Sequence, residues 1–109
     1  MKLAGQTMLN AQFTQDAVAT KQLLVGPDDT THSIKWGEGV SVGEVVVEAA
    51  DSPDFAGTWH RLATVTFEGV APKIDQIRTP GAYSTYRHRV TVPVGGGTVT
   101  TKLEANGSW

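Results

Sequence analysis

Apolar and polar residues alternate with period two along most of this chain, and Gly, Pro and Asp interrupt the alternation at short intervals. Side chains of a strand point in turn to its two faces, so the pattern predicts strands with one buried face. The strongest instance is Gly81 to Ala105. In its first half Ser84, Tyr86, His88, Val90, Val92 and Val94 share a face, opposite Tyr83, Thr85, Arg87, Arg89 and Thr91. In its second half Val99, Thr101, Leu103 and Ala105 oppose Thr98, Thr100, Lys102 and Glu104. Gly95-Gly96-Gly97 supplies the positive φ that a tight turn needs, so a hairpin is expected here. Tyr86, Val90, Val92, Val99 and Leu103 are its expected core residues.

The same reading extends upstream. Thr7, Leu9, Ala11 and Phe13 share a parity, so residues 1–15 read as an N-terminal arm or an edge strand. Residues 16–25 are ambiguous: a helix would carry a poor apolar stripe, and a strand is favoured. Gly26-Pro27-Asp28-Asp29 is a turn. Thr31 to Trp36 places His32, Ile34 and Trp36 on one face; Val40 to Ala50 places Val45, Val47 and Ala49 opposite Glu44, Val46 and Glu48, with a bend or bulge at Gly43. A long strand over Thr58 to Glu68 sets Trp59, Arg61, Ala63, Val65 and Phe67 on one side, and Trp36 and Trp59 are expected in the core. Lys73 to Arg78 is a short strand, with Ile74 and Gln76 opposite Asp75 and Ile77. The sum is seven or eight short strands with turn signals about every ten residues and no convincing helix. That is the signature of an all-β protein, a single antiparallel β-sandwich of jelly-roll or Ig-like type, with the N-terminal arm at 1–15 and the sandwich domain at 16–109.

Composition narrows the function classes more than it names one. At 109 residues the chain is expected to form one domain. Net charge is −2, so there is no global basic footprint for nucleic acid. There is no cysteine, which excludes disulfides, a thiol nucleophile and a thiolate metal site. No apolar run is long enough to span a membrane as a helix, and the opening residues lack the apolar stretch of a signal peptide. A cytoplasmic product is the default expectation.

No catalytic motif is present. His32, His60 and His88 are evenly spaced, but no HxH or HExxH pattern supports a metal triad, and three unrelated strand positions are the preferred account. Asp28, Asp29, Asp51 and Asp54 read as turn formers. Glu44 and Glu48 share one strand face and cannot flank a cleft as a glycosidase pair must. The serines lack a nucleophile-elbow context, and Gly95–Gly97 is not a phosphate loop. No catalytic, cofactor or metal residue is assigned. Arg87 and Arg89 share a face, with Arg61 and Arg78 as candidate neighbours. Two readings stay open: a protein interface, since Arg is enriched at contacts, or a solvated face paired with Glu48 or Glu104. Trp109 is either an anchor on another subunit or a frayed end. The candidate interface is therefore Arg87, Arg89, Arg61 and Trp109.

The segment from Gly43 to Leu103 resembles small structural proteins of tailed bacteriophages. Gly43, Val45 and Glu48 fit a G-x-V-x-x-E strand. Phe55, Gly57, Thr58, Trp59 and Leu62 fit a following aromatic-x-G-T-W-x-x-L stretch. Gly81, Arg87, Arg89, Val90, Val94, Gly96, Gly97, Thr98 and Val99 fit the last element. The resemblance implies a β-sandwich component of the virion with no enzyme activity. It would be made in the host cytoplasm and assembled as homo-oligomers on the major capsid protein or other virion proteins, without nucleic acid, membrane or cofactor. Head decoration is favoured over a tail component because the chain is one small domain. The rival of another class is a carbohydrate-binding or receptor-binding module, which would need aromatics exposed in a row.

Overall fold

The computed structural model describes residues 2–23, 27–50, 59–81 and 83–107, with side chains from residue 5 onward. These contain eight strands and no helix: β1 (Lys2–Thr7), β2 (Val18–Gln22), β3 (Asp29–Trp36), β4 (Val42–Ala50), β5 (His60–Thr66), β6 (Lys73–Pro80), β7 (Thr85–Gly95) and β8 (Val99–Asn106). One sheet has the order β1-β8-β3-β6 and the other β2-β7-β4-β5. Pairing is nested: β1 with β8, β2 with β7, β3 with β6 and β4 with β5, all antiparallel. The pairs β3–β8 and β4–β7 then close each sheet. A long folded-back ribbon rolled up in this way is a jelly roll, which settles the choice between the two expected sandwich types. Lys2–Thr7, expected as arm or edge strand, is strand β1, hydrogen-bonded along β8.

The expected Gly95–Gly97 hairpin is not one. β7 and β8 lie in opposite sheets, so the turn carries the chain from one layer to the other. Alternation reports which face of a strand is apolar; two strands covering one core satisfy it face to face as well as side by side. The β3–β4 connection makes the same change of layer alongside. Gly37 N donates to Thr98 O (2.8 Å) and Ser41 N to Gly95 O (2.9 Å). Gly39 and Gly96 both have φ of 86°, and a Cβ on Gly39 would lie 2.6 Å from the Gly96 carbonyl oxygen. Two backbones cross in contact here, and only glycine fits.

Between the sheets, two apolar clusters fill the interior. One gathers Leu9, Ile34, Trp36, Val45, Val90 and Val99 near the glycine turns; the other gathers Met8, Leu23, Ala49, Tyr86, Leu103 and Ala105. Each fully buried Val, Leu or Ile contributes roughly 1.5–3 kcal/mol. Trp36 is fully buried, donates from Nε1 to Asp75 Oδ2 (2.8 Å) and meets the Phe67 ring edge-on. That bond explains why Asp75, not Ile74, takes the inward place on β6, leaving Ile74 exposed. Gly43 marks a register shift on β4, as expected of it; a Cβ there would press on the Trp36 ring at 2.9 Å.

Two expected core residues are not in the core. Val92 is exposed because β7 carries an extra residue against β4 on either side of it: Val45 faces Val90, Glu44 faces Val92 and Val42 faces Gly95. The first bulge turns Val92 outward and the second returns Val94 inward. Pro93, which cannot donate to a ladder, falls at the second. Trp59 lies just before β5 and is partly exposed, with the Arg87 guanidinium 4.2 Å from its ring centre. The loop aspartates Asp51 and Asp54, and Phe55, Gly57 and Thr58, lie outside the described residues.

Candidate functional site

Strand β7 carries two polar networks, one on each face. Inward, His88 stands between Tyr86 and Val90 and is fully buried. From the opposite sheet His32, equally buried, meets it: His32 Nδ1 and His88 Nε2 are 2.8 Å apart. The remaining ring nitrogens each reach a threonine, His32 Nε2 to Thr79 Oγ1 (3.0 Å) and His88 Nδ1 to Thr101 Oγ1 (2.7 Å). Thr79 Oγ1 is 2.6 Å from Thr30 Oγ1, and the Leu9 amide donates to Thr101 Oγ1 (3.0 Å). The result is a polar seam across the core, set between the two apolar clusters and linking one sheet to the other.

The Leu9 amide gives the seam a direction. Its N–H can only donate, so Thr101 Oγ1 accepts there and sends its own proton to His88 Nδ1. His88 then donates from Nε2 to His32 Nδ1, His32 from Nε2 to Thr79, and Thr79 to Thr30. The reverse order would point both the ring and the amide at Thr101 and leave its hydroxyl proton without a place. Both rings are thus neutral with the proton on Nε2, an assignment made from the hydrogen bonds. Burial lowers the His32 pKa to about 4. Burial, and after it the charge of His32, lowers that of His88 to about 3. Burial likewise raises Tyr86, whose ring lies 5.7 Å from His32.

On the outward face of the same strand, Arg87 and Arg89 flank Glu48 of β4. Arg87 Nε donates to Glu48 Oε1 at 2.9 Å and Arg89 Nε to the same oxygen at 3.1 Å. Glu48 is only 5% exposed although it faces away from the core. Burial alone would raise its pKa; the hydrogen bonds and charges of the two arginines outweigh that and hold it below its ordinary value. Arg89 also reaches Asp16 Oδ1 (3.4 Å), and its pKa is raised first by the bond to Glu48. Arg87 lies over Trp59 as a cation–π pair. Glu44 extends the polar face, accepting from Thr91 (2.7 Å) and Thr66 (3.2 Å). The buried Thr85 hydroxyl has no hydrogen-bond partner among the described residues.

The structure therefore brings Arg87 and Arg89 together and sets Arg61 of β5 opposite Glu48 in register, exposed. Arg78 is elsewhere, beside Asp29 in the other sheet (3.8 Å). Trp109 lies outside the described residues. Three unrelated histidines are expected from the sequence, and for His32 and His88 that is corrected. The inward parity of both strands is the available signal, since two imidazoles in one core need partners. His60 is exposed and stands apart, 6.1 Å from the Tyr83 ring. Among the described residues no three His, Asp or Glu side chains converge on a metal position. An open groove of about 370 Å³ runs along Thr64, Thr66 and Lys73.

No known family model matches the sequence, and no curated protein matches it. Among solved structures, the chain is similar to two cleaved adhesin domains of Lys-gingipain (Kgp). For the K1 domain, from Porphyromonas gingivalis W83, the TM-score is 0.62 at 11% identity, covering 84% of this chain and 62% of that one. For the K2 domain the TM-score is 0.64 at 10% identity, covering 84% and 63%. A protein of Bacillus endospore appendages, described as disulfide-linked pili, matches with a TM-score of 0.48 at 12% identity over 99% of this chain and 92% of that one. The chain spans a little over three fifths of the adhesin domains' length, and at these identities the likeness is one of fold.

Proposed function

We propose that this chain is a non-enzymatic structural or adhesive β-domain that works by presenting a rigid sheet face to a partner. The observation that carries this reading is the Glu48–Arg87–Arg89 clamp. Each guanidinium is held through Nε by one buried carboxylate, and Arg87 is also laid on Trp59. Arginines ordered beforehand lose little entropy on docking, and their remaining N–H groups suit acceptors on another protein. The two buried histidines, by contrast, are consumed in the seam and reach no solvent. Within that class, the resemblance of Gly43–Leu103 supports a capsid decoration protein of a tailed phage. It would bind the major capsid protein, or a second copy of itself on the lattice, through many weak contacts multiplied by copy number.

Arg61→Glu combined with Arg87→Lys tests the face. The first reverses an exposed charge and the second keeps the charge but removes the fork. Loss of partner binding in a variant whose circular dichroism spectrum is still that of the folded protein is the expected result; unaltered binding means the face is only solvated. Reversing both Arg87 and Arg89 is a poorer test, because it would surround Glu48 with like charge. For the virion reading, quantitative mass spectrometry of particles from the phage carrying this chain should find many copies per particle, and absence from the particles overturns it. One observation favours the rival glycan-binding reading: Trp59 is partly exposed rather than core. Quenching of its fluorescence by a member of a glycan panel would decide for that reading, and silence across the panel against it.

A further inference from the structure

The seam between the sheets has one place for each proton it holds. From the Leu9 amide through Thr101, His88, His32 and Thr79 to Thr30, each acceptor already receives a donor. An added proton on His32 Nδ1 would face the His88 N–H across 2.8 Å. If His88 yields by moving its own proton to Nδ1, the Thr101 hydroxyl then confronts two donors, that ring and the Leu9 amide. The first arrangement breaks the bond between the rings; the second keeps the ring–ring and ring–threonine contacts, because a hydroxyl oxygen can accept twice, but strands the Thr101 hydroxyl proton in the core. His32 belongs to one sheet and His88 to the other, so the conflict acts across the interface between the layers.

We propose that the His32–His88 seam is an acid-triggered release, in which one added proton leaves a buried, unbalanced charge and an unsatisfied polar hydrogen between the sheets and opens the sandwich. Among the described residues no counter-charge is available to absorb that proton. The elements packed on the pair present Ala19 from β2, Thr30 and Ile34 from β3, Ile77 and Thr79 from β6, Val47 from β4, Tyr86 and Val90 from β7, Thr101 and Leu103 from β8, and Leu9. Of these only Tyr86 titrates, and it is a neutral phenol whose pKa is raised. The inward carboxylate of β6, Asp75, is bound to Trp36 Nε1 (2.8 Å) and Lys73 (3.4 Å) instead. On β2, Lys21 pairs with Tyr86 but is exposed, and as a cation it offers the proton no counter-charge; Lys35, Glu48, Arg87, Arg89, Lys102 and Glu104 alternate with the inward residues of their strands and lie on the outer faces. The low pKa values of both rings agree with this arrangement. The release holds whatever the domain docks on, so it stands or falls separately from the proposed function.

The test is urea unfolding of the full chain between pH 7 and pH 5, against the variant His32→Leu/His88→Leu. With both rings neutral in the fold and titrating near 6.5 when unfolded, the wild-type folding constant should fall on the order of a thousandfold by pH 5. The wild type should also take up about two more protons on unfolding than the variant. Equal pH slopes for the two proteins overturn the proposal. Should the variant not fold, long-range ¹H–¹⁵N spectra of the wild type at pH 5.5 decide. Two neutral rings protonated on Nε2 support the seam as described, and an imidazolium at either position in the folded protein overturns it.

Discussion

His88 and Arg89 are joined by one peptide bond, yet their side chains serve opposite kinds of network. His88 points between the sheets, loses all contact with water and stays neutral. Arg89 points outward, keeps part of its surface in water and stays charged on a carboxylate shared with Arg87. A buried neutral chain has its bonds strengthened by low dielectric, but each lost partner then costs heavily. A charged cluster at a sheet face gains less per bond and is screened by salt. The inner network thus defines how the two layers meet, and the outer one orders a surface. Burial, not residue type, separates these roles.

Acid should split the two networks most widely. For a group whose folded pKa is depressed, stability is intact above the unfolded pKa and is lost as pH falls towards the folded one. The histidines therefore lose stability from pH 6.5 down to about 4 and 3, at about 1.4 kcal/mol per pH unit per ring. Glu48, whose pKa is also lowered, is lost only below the ordinary carboxylate value of 4.5. Chemical denaturation across this range should show two windows, and Glu48→Gln should erase part of the lower while leaving the upper. A single window moved by Glu48→Gln would mean the networks are not separate.

Next in size is Thr101→Val, which leaves the Leu9 amide and His88 Nδ1 buried without partners. A loss of about 3 kcal/mol is expected in thermal denaturation, more than for a surface threonine. Glu48→Gln at neutral pH should cost less, about 1.5 kcal/mol, because its arginines keep access to water. That cost should shrink in 1 M salt, while the Thr101→Val cost should not. Smallest is Val92→Thr, expected within about 0.5 kcal/mol because the bulges turn Val92 to solvent. Against it, Val90→Ala two residues away should cost about 2 kcal/mol. Equal effects at the two positions would contradict the bulged register.

Much of the outer face is legible in the amino-acid pattern. Alternation sets Arg87 and Arg89 on one side of their strand and names Glu48 as a partner, because strand parity survives whatever the strand pairs with. Trp59 is misplaced by the pattern because β5 carries an extra residue between Arg61 and Ala63 against β4, which inverts the parity of the residues before it. Val92 is misplaced because one residue inserted between Val90 and Val92 inverts parity, while Pro93 marks the second insertion, which restores it. The histidine pair is invisible as a pair. His32 and His88 are separated by 56 positions, and only the packing of one sheet on the other brings their rings together.

By itself, the sequence determined that this chain is a two-layered β-protein with its apolar faces turned inward, since period-two patterning needs no knowledge of neighbours. It also determined the glycines at the layer-changing turns and the absence of any thiol chemistry. Only the tertiary structure decided that β7 and β8 face one another instead of pairing, and that the nested ribbon rolls into a jelly roll. It alone decided that two distant histidines are joined by a hydrogen bond. The physical reason is the same throughout: local patterning specifies which side of a strand avoids water, and the partner it meets there is chosen by how the whole ribbon closes on itself.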